Sequence, residues 1–372
     1  MALASLVVTT PAGSYDVIVG TGLLADVPAH LDRLGLRGRI WLIGDEAPYR
    51  LYGEPLLGRL RDAGFNVQGY SVPAGEASKD LAHVAQLYDW LIGGGVERRD
   101  VVLALGGGVV GDLAGFVAAT TLRGIAFVQL PTTLLAMVDS AIGGKTGVNH
   151  SLGKNLIGAF HQPRLVLSDV DTLASLPARE LRSGWAETIK HGVIRDADLF
   201  QKLEAWGLGL MHAGDIRATV LDPHVASLIR QSAAVKVEVV NIDERELGER
   251  VLLNYGHTLG HALEAALGYG VLLHGEAIAI GLDLAGRIAV ALGMFAPADL
   301  ARQRRLLEAY GLAVALPAAV TPDQMIALSL RDKKVRAGTV RWVLPTAIGT
   351  ATTRADVPES LVRAVLDAAE RG

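Results

Sequence analysis

The sequence predicts an α/β N-terminal half followed by a mainly helical C-terminal half, and three observations predict it. Short apolar runs that stop at glycine, proline or aspartate recur between residues 39 and 168, alternating with segments of helical period. From about residue 178 the runs cease and helical period dominates. One run, Val101 to Leu105, ends in three consecutive glycines that open the next helical segment. Strands alternating with helices at this spacing make a mostly parallel sheet with helices on both faces.

Taken in order, residues 5–20 read as a β-hairpin with Pro11-Ala12-Gly13 at its turn. Residues 23–34 have helical period. Residues 39–43 form a buried strand closed by Gly44-Asp45. A helix is expected over 49–63 and a strand over 66–72. Glu76 and Lys79 follow Pro73-Ala74-Gly75 in a loop, and a helix is expected over 79–92. The strand at Val101 comes next, then a strand over 125–130 stopped by Pro131, and residues 165–168 are the last run of this kind. Between them, Asp139, Gly143-Gly144-Lys145-Thr146 and Gly153-Lys154-Asn155 read as glycine-softened turns. Helices are expected over 179–193, 216–241, 256–267, 276–292, 297–310, 322–330 and 361–370, with one late strand over 340–344. Two domains follow, residues 1–178 and 179–372. Ligands in such folds sit at the carboxyl ends of the strands, here expected in a cleft between the domains.

Composition narrows the function. The chain has 372 residues, half of them apolar and a fifth charged, with a net charge of −4. No basic tail or stripe points to nucleic acid. With no cysteine there is no disulfide, thiolate metal site or cysteine nucleophile. The N-terminus lacks the basic region and long apolar core of a signal peptide. Residues 101–120 are apolar enough for a membrane span, but five glycines and Asp112 argue against one. A cytoplasmic protein is expected. Only eight of the 35 basic residues are lysine: Lys79, Lys145, Lys154, Lys190, Lys202, Lys236, Lys333 and Lys334. Where arginine serves as the ordinary surface cation, a retained lysine marks a position needing a compact, titratable ammonium. Lys202, on an amphipathic helix, is expected simply to face solvent.

The glycine turn carries the first chemistry. Gly106, Gly108 and Gly111 fit G-x-G-x-x-G. The first two let the backbone turn and approach a pyrophosphate, and the third lets the helix pack on its strand with its N-terminus toward the phosphates. Lysines on the downstream glycine turns add cationic donors for phosphate. One departure is informative. The strand after the glycine turn ends Gln129-Leu130-Pro131, with no acidic residue for a ribose. Asp45, closing an earlier strand, could take that role or could equally be a turn or capping carboxylate. The second chemistry is acid, base and metal. Glu187 and Lys190 share a helix face at i, i+3, with Trp185, Ile189 and Val193 around them. His257 and His261 share a face at i, i+4, and His274 follows. Two histidines and a glutamate meeting at one point would suit zinc. By spacing alone His257 and His261 form the natural pair, although core packing would use such residues too.

The segments GGGVVGDLAGFVAAT, QLPTTLLAMVDSAIGGKTGVN, GKNLIGAFHQP, LRSGWAETIKHG, LLNYGHTLGHALE, LLHGEA and DKKV, in this order, resemble the 3-dehydroquinate synthases of the sugar-phosphate cyclase superfamily. The resemblance spans nearly the whole chain. It implies a dehydroquinate synthase-like fold: a Rossmann-like NAD domain plus a helical metal and substrate domain. The implied reaction converts 3-deoxy-D-arabino-heptulosonate 7-phosphate to 3-dehydroquinate and phosphate, with catalytic NAD+ and Zn2+ or Co2+. Metal ligands are then expected at Glu187, His257 and His274, with His261 facing substrate instead. Asp139, Lys145, Lys190, Lys236, Arg250, Asn254 and His261 match substrate-lining positions. Lys145, Asn155, Arg250 and Lys334 match the phosphate pocket, and Arg123 matches an arginine that reaches a neighbouring subunit, so a homodimer is expected. Asp45, Glu76, Lys79, Gly107, Gly108, Val109, Asp112, Thr132, Thr133, Leu135, Asp139, Lys145, Lys154 and Ser175 match nucleotide contacts. Leu259 and Ser175 stand where the family often has Phe and Thr. Other readings are a cyclase of the 2-epi-5-epi-valiolone or 2-deoxy-scyllo-inosose type, a metal-dependent polyol dehydrogenase, and a non-catalytic nucleotide-binding protein.

Overall fold

The run at Val101 becomes an interior strand of a seven-stranded sheet. The structure, a computed structural model, describes residues 4–213, 220, 222–330, 335–336 and 339–369. In chain order these hold β1 (Leu6–Thr10), β2 (Gly13–Gly20), α1 (Val27–Arg33), β3 (Ile40–Asp45), α2 (Glu46–Pro48), α3 (Glu54–Asp62), β4 (Val67–Val72), α4 (Leu81–Gly93), β5 (Val101–Gly106), α5 (Gly108–Thr120), β6 (Ala126–Pro131), β7 (Lys145–His150), β8 (Gly153–Phe160) and β9 (Leu165–Asp169). A π-helical turn, Tyr49–Gly53, joins α2 to α3, and a second one, Ala136–Ser140, follows β6. Then come α6 (Ala178–Ile194), α7 (Ala197–Ala213), α8 (Pro223–Ile242), α9 (His257–Leu267), α10 (His274–Ala291), α11 (Pro297–Ala309), α12 (Pro322–Ser329), the short β10 (Val335–Arg336) and β11 (Thr339–Val340), β12 (Trp342–Ala347), β13 (Thr350–Arg354) and α13 (Glu359–Asp367). No helix among the described residues is long and apolar enough to cross a membrane.

Two compact units result: Met1–Leu176 with Val220–Arg245, and Pro177–Thr219 with Glu246–Gly372. In the first, the sheet order is β1-β2-β9-β6-β5-β3-β4. Strands β2, β9, β6, β5, β3 and β4 are parallel, and β1 adds an antiparallel edge through its hairpin with β2. Every residue of β5 is buried, because helices cover both faces. Leu42, Leu103 and Leu105 pack against Val27, Leu31, Leu56 and Leu60 on one face. Trp41, Ile43, Val102 and Ala104 pack against Val84, Leu87, Val110 and Val117 on the other. Period-2 alternation within apolar strands thus feeds two cores.

The chain passes from β3 out to β4 and then crosses back to β5 on the other side of β3. This reversal is a topological switch point, and it lies where β3 ends at Asp45 and β5 ends at the glycine turn.

The glycine-rich segment after β6 is more regular than expected. Lys145 opens β7, and Lys154 and Asn155 lie in β8. The two strands pair as an antiparallel hairpin with Gly147 opposite Gly158. A Cβ on Gly147 would sit 2.5 Å from the Ile157 carbonyl oxygen, and one on Gly158 would sit 2.3 Å from that of Thr146. The glycines therefore serve a close backbone crossing rather than loop freedom. Val148, Ile157 and Ala159 of this hairpin pack into the same core as α5.

Helical period alone assigns residues 216–241 to the helical half, yet α8 belongs to the first unit. Asn241 accepts a hydrogen bond from the Thr9 amide (2.7 Å) and donates to the Val7 carbonyl (3.1 Å), which ties α8 to the edge strand β1.

In the second unit, glycines set how closely α6, α9 and α10 approach. A Cβ on Gly275 would lie 1.9 Å from the Ser183 carbonyl oxygen, and one on Gly281 would lie 2.1 Å from that of Gly256. The Gly275 amide donates to Ser183 Oγ at 2.9 Å, which locks the start of α10 onto α6. The single late strand expected over 340–344 is the first arm of a hairpin, β12–β13.

Candidate active site

In the first unit, the expected nucleotide residues gather at the switch point. Gly107 caps α5, and Gly108 and Val109 form its first turn. Added Cβ atoms would meet Asp45 Oδ2 (3.3 Å from Gly106), Thr133 Cγ2 (3.0 Å from Gly107), Ser140 Oγ (2.9 Å from Gly108) and Gln129 Oε1 (2.8 Å from Gly111). The turn is therefore a cradle bounded by Asp45 and Thr133, and any side chain there would fill it. The N-terminus of a 13-residue helix faces this cradle, so its free amides and dipole favour an anion. Leu135 and Asp139 follow Thr132 and Thr133 on and beside the π-helical turn.

Lys79 Nζ meets Asp112 Oδ2 at 2.5 Å with both side chains largely buried. Burial pushes the Asp112 carboxyl up, and the Lys79 ammonium only partly offsets this. Glu76 accepts from Asn149 Nδ2 at 2.7 Å, and the Asn149 amide donates to the Lys79 carbonyl at 2.8 Å, so the 76–79 turn is fastened to β7. Ser175 ends a 3-10 turn and receives the Tyr52 hydroxyl at 2.7 Å. Lys236 of α8 reaches Asp139 Oδ1 at 2.5 Å, joining two residues about a hundred positions apart. Lys145 and Asn155 are exposed on the hairpin. Arg123 is also exposed, held with Leu122 and Gly124 in a run of positive φ angles of 50, 69 and 116°.

In the second unit, α6, α9 and the first residue of α10 bring three predicted ligands together. Glu187 Oε1 lies 3.4 Å from His257 Nε2 and 3.3 Å from His274 Nε2. One ligand atom from each of the three falls within 4.8 Å of the others. Glu187 Oε2 pairs instead with Lys190, one turn along α6, and both side chains are fully buried. Burial alone would raise the Glu187 carboxyl, but Lys190 and the two imidazoles outweigh it and hold the group well below the usual carboxylate range. For His274, burial opposes charge, but hydrogen bonds to Glu187 and Glu264 push its pKa up to about 9.

His257 Nδ1 lies 3.0 Å from the Tyr255 carbonyl, which can only accept, so that nitrogen carries a proton and Nε2 is the atom turned toward Glu187. Two imidazole nitrogens and one buried carboxylate oxygen form a donor set that suits zinc with an open position. His261 stands beside this trio, its ring 5.3 Å from that of His257 and 5.8 Å from that of His274. It belongs to a second group with Glu264 and His274. The pairing of His257 with His261 that spacing favours is thus not the one that converges on Glu187.

Arg250 is buried on the 3-10 turn Glu249–Asn254, and Asn254 Nδ2 donates to Glu246 Oε1 at 2.6 Å. Lys334 lies outside the described residues. Two further residues join the site without a motif to mark them. Glu246 has a φ of 60° and engages Asn254. Glu264 is buried and contacts His274. The i, i+7 spacing of Glu264 from His257 is a sequence signal for Glu264, and Glu246 carries none.

Solved structures with the same architecture define the class. The chain matches 2-epi-5-epi-valiolone synthase from Streptomyces hygroscopicus subsp. jinggangensis, with NAD+ and Zn2+ bound, at a TM-score of 0.86 and 34% identity, over 98% of this chain and 97% of that one. It matches a 2-deoxy-scyllo-inosose synthase complexed with carbaglucose-6-phosphate, NAD+ and Co2+ at a TM-score of 0.86 and 26% identity, over 98% and 100%. The fold is that of the sugar-phosphate cyclases.

Within this class the chain belongs to the 3-dehydroquinate synthase family. Residues 69–183 match the family described as 3-dehydroquinate synthase N-terminal, and residues 184–335 match 3-dehydroquinate synthase C-terminal. The 3-dehydroquinate synthase of Nostoc punctiforme is 48% identical over 96% of this chain and 98% of that protein. That of Synechocystis sp. is 47% identical over 96% and 98%.

Proposed function

We propose that this chain is a carbon–oxygen lyase that converts 3-deoxy-D-arabino-heptulosonate 7-phosphate to 3-dehydroquinate and phosphate, with catalytic NAD+ and a zinc or cobalt ion. The observation that carries the reading is the meeting of Glu187, His257 and His274 in a chain of this family. These three would hold the metal, and the cradle at Gly107 and Gly108, with Asp45, Thr132, Thr133, Leu135, Lys79 and Lys154 around the nucleotide, would hold NAD+. When bound, the metal supplies Lewis acidity toward a substrate hydroxyl, and NAD+ takes and returns a hydride.

The chain's own residues do the rest. Lys190 and His261 move the proton of the hydroxyl that is oxidised. His261 suits this because it adjoins the ligand trio without belonging to it. Lys236, held by Asp139, presents a cation to the substrate, with Asn254 as a hydrogen-bond partner. Lys145, Asn155, Arg250 and Lys334 stabilise the departing phosphate, an electrostatic contribution that is often the largest in catalysis. Binding the substrate in one ring-closing conformer supplies an orientation effect. Arg123, exposed on its left-handed turn, would reach the phosphate pocket of a second copy in a homodimer. The setting is proposed to be cytoplasmic.

The identity to named 3-dehydroquinate synthases, 48% against 34% for the valiolone-type cyclase, favours this product over the other rings. Purified protein incubated with the heptulosonate phosphate, NAD+ and Zn2+ should release phosphate and a ring product of the mass of 3-dehydroquinate, with no net NADH. Stoichiometric NADH from a polyol, or turnover only of another sugar phosphate, would refute the reading.

A further inference from the structure

His257 and His274 both turn Nε2 toward Glu187, so each must anchor Nδ1 elsewhere. For His257 the anchor is the Tyr255 carbonyl. Tyr255 is itself fixed, its hydroxyl 3.0 Å from the Leu282 carbonyl and 2.8 Å from Gln303 Oε1. For His274 the anchor is a charged group, Glu264 Oε2, 3.4 Å from Nδ1. Glu264 is only 4% exposed and lies on α9 two turns beyond His257, on the face that also carries His261. His274 heads α10, where its backbone is held by the Gly275–Ser183 hydrogen bond, so a side-chain anchor is what remains to set its ring.

We infer that Glu264 is a positioning residue for the metal centre: its carboxylate accepts the Nδ1 proton of His274, fixes that tautomer and ring orientation, and makes Nε2 a stronger donor to the divalent ion. This rests on the metal site proposed above. The physical basis is general. A ligand imidazole whose second nitrogen donates to a carboxylate is oriented and made more basic, and loss of such a partner typically costs about 10–100-fold in metal affinity. The geometry allows one competing role, because His261, Glu264 and His274 also offer ligand atoms within 4.8 Å of one another and could take a second cation.

The test is zinc affinity and stoichiometry, measured by chelator competition on the full chain and on Glu264→Gln and Glu264→Ala. Glutamine keeps the shape and an acceptor oxygen but loses the charge, so the Gln variant carries the test even if the Ala variant fails to fold. The expected result is one zinc per chain throughout, with affinity about 10-fold weaker for Gln and about 100-fold weaker for Ala. The visible absorption of the cobalt-loaded Gln variant should also shift. Wild-type affinity in the Gln variant, with tight binding by the parent, overturns the inference alone. A second zinc in the parent that the variants lack overturns it in favour of a ligand role. No zinc binding by the parent overturns the metal site and this inference together.

Discussion

Replacing Glu187 by glutamine should unbalance the most deeply buried charges of the second unit. Glu187 and Lys190 are both fully buried and directly paired, and His257 and His274 lie 3.4 and 3.3 Å from the other carboxylate oxygen. Removing one member of a buried pair leaves an uncompensated charge at a cost of about 3–5 kcal/mol. A folding unit of this size loses about 2–4 °C of melting temperature per kcal/mol. Glu187→Gln should therefore melt about 6–20 °C below the parent when both are stripped of metal and followed by circular dichroism. The double variant Glu187→Gln/Lys190→Met should recover much of that loss, because replacing both members by uncharged groups of similar volume is often neutral. Zinc affinity should fall more than about 100-fold, beyond what loss of an outer partner costs. A single variant melting within about 1 °C of the parent would refute the charge-balance reasoning. So would a double variant no more stable than the single. Unchanged zinc affinity would remove Glu187 from the metal site.

Three further outcomes can be checked with purified protein. His261→Ala at saturating zinc should lower turnover by about 10²–10⁴, the usual worth of a positioned acid–base group, and a loss of only a few-fold would end its proposed role. Lys236→Met should lower kcat/KM for the heptulosonate phosphate by about 10²–10³ while leaving NAD+ affinity, read by calorimetry, near that of the parent; parental kcat/KM would refute the role. Asp45→Ala should weaken NAD+ roughly 10–100-fold, the equivalent of one charged hydrogen bond of about 1.5–3 kcal/mol, without altering zinc affinity, and equal NAD+ binding would return Asp45 to a capping role.

The local elements were legible because they depend on local pattern. The all-apolar run Val101–Leu105 ending in glycine reads as a strand buried on both faces, and β5 is buried throughout. The glycines mark close approaches, since a Cβ at Gly107, Gly108 or Gly111 would meet Thr133, Ser140 or Gln129. The hairpin β7–β8 was hidden for a related reason, since Gly147 and Gly158 read as loop residues until their pairing across two strands is seen. Helical period identified α8 as a helix but carried no signal for its partner, which the Asn241 contacts with β1 decide.

Local pattern was enough for the strand–helix order and the glycine cradle, and the motifs were enough for the family. The resemblance pointed to Glu187, His257 and His274, but residue spacing could not say which donors meet, and the folded chain brings those three together. Spacing along one helix paired His257 with His261, whereas Glu187 is met by His257 from α9 and His274 from the start of α10. The physical reason is that ligation depends on where side chains converge in space. That convergence is set by helix-to-helix distances, which Gly275 and Gly281 permit through contacts with residues 92 and 25 positions earlier in the chain. Glu264 and Glu246 stayed silent for the same reason: each matters only through its contact, with His274 and with Asn254.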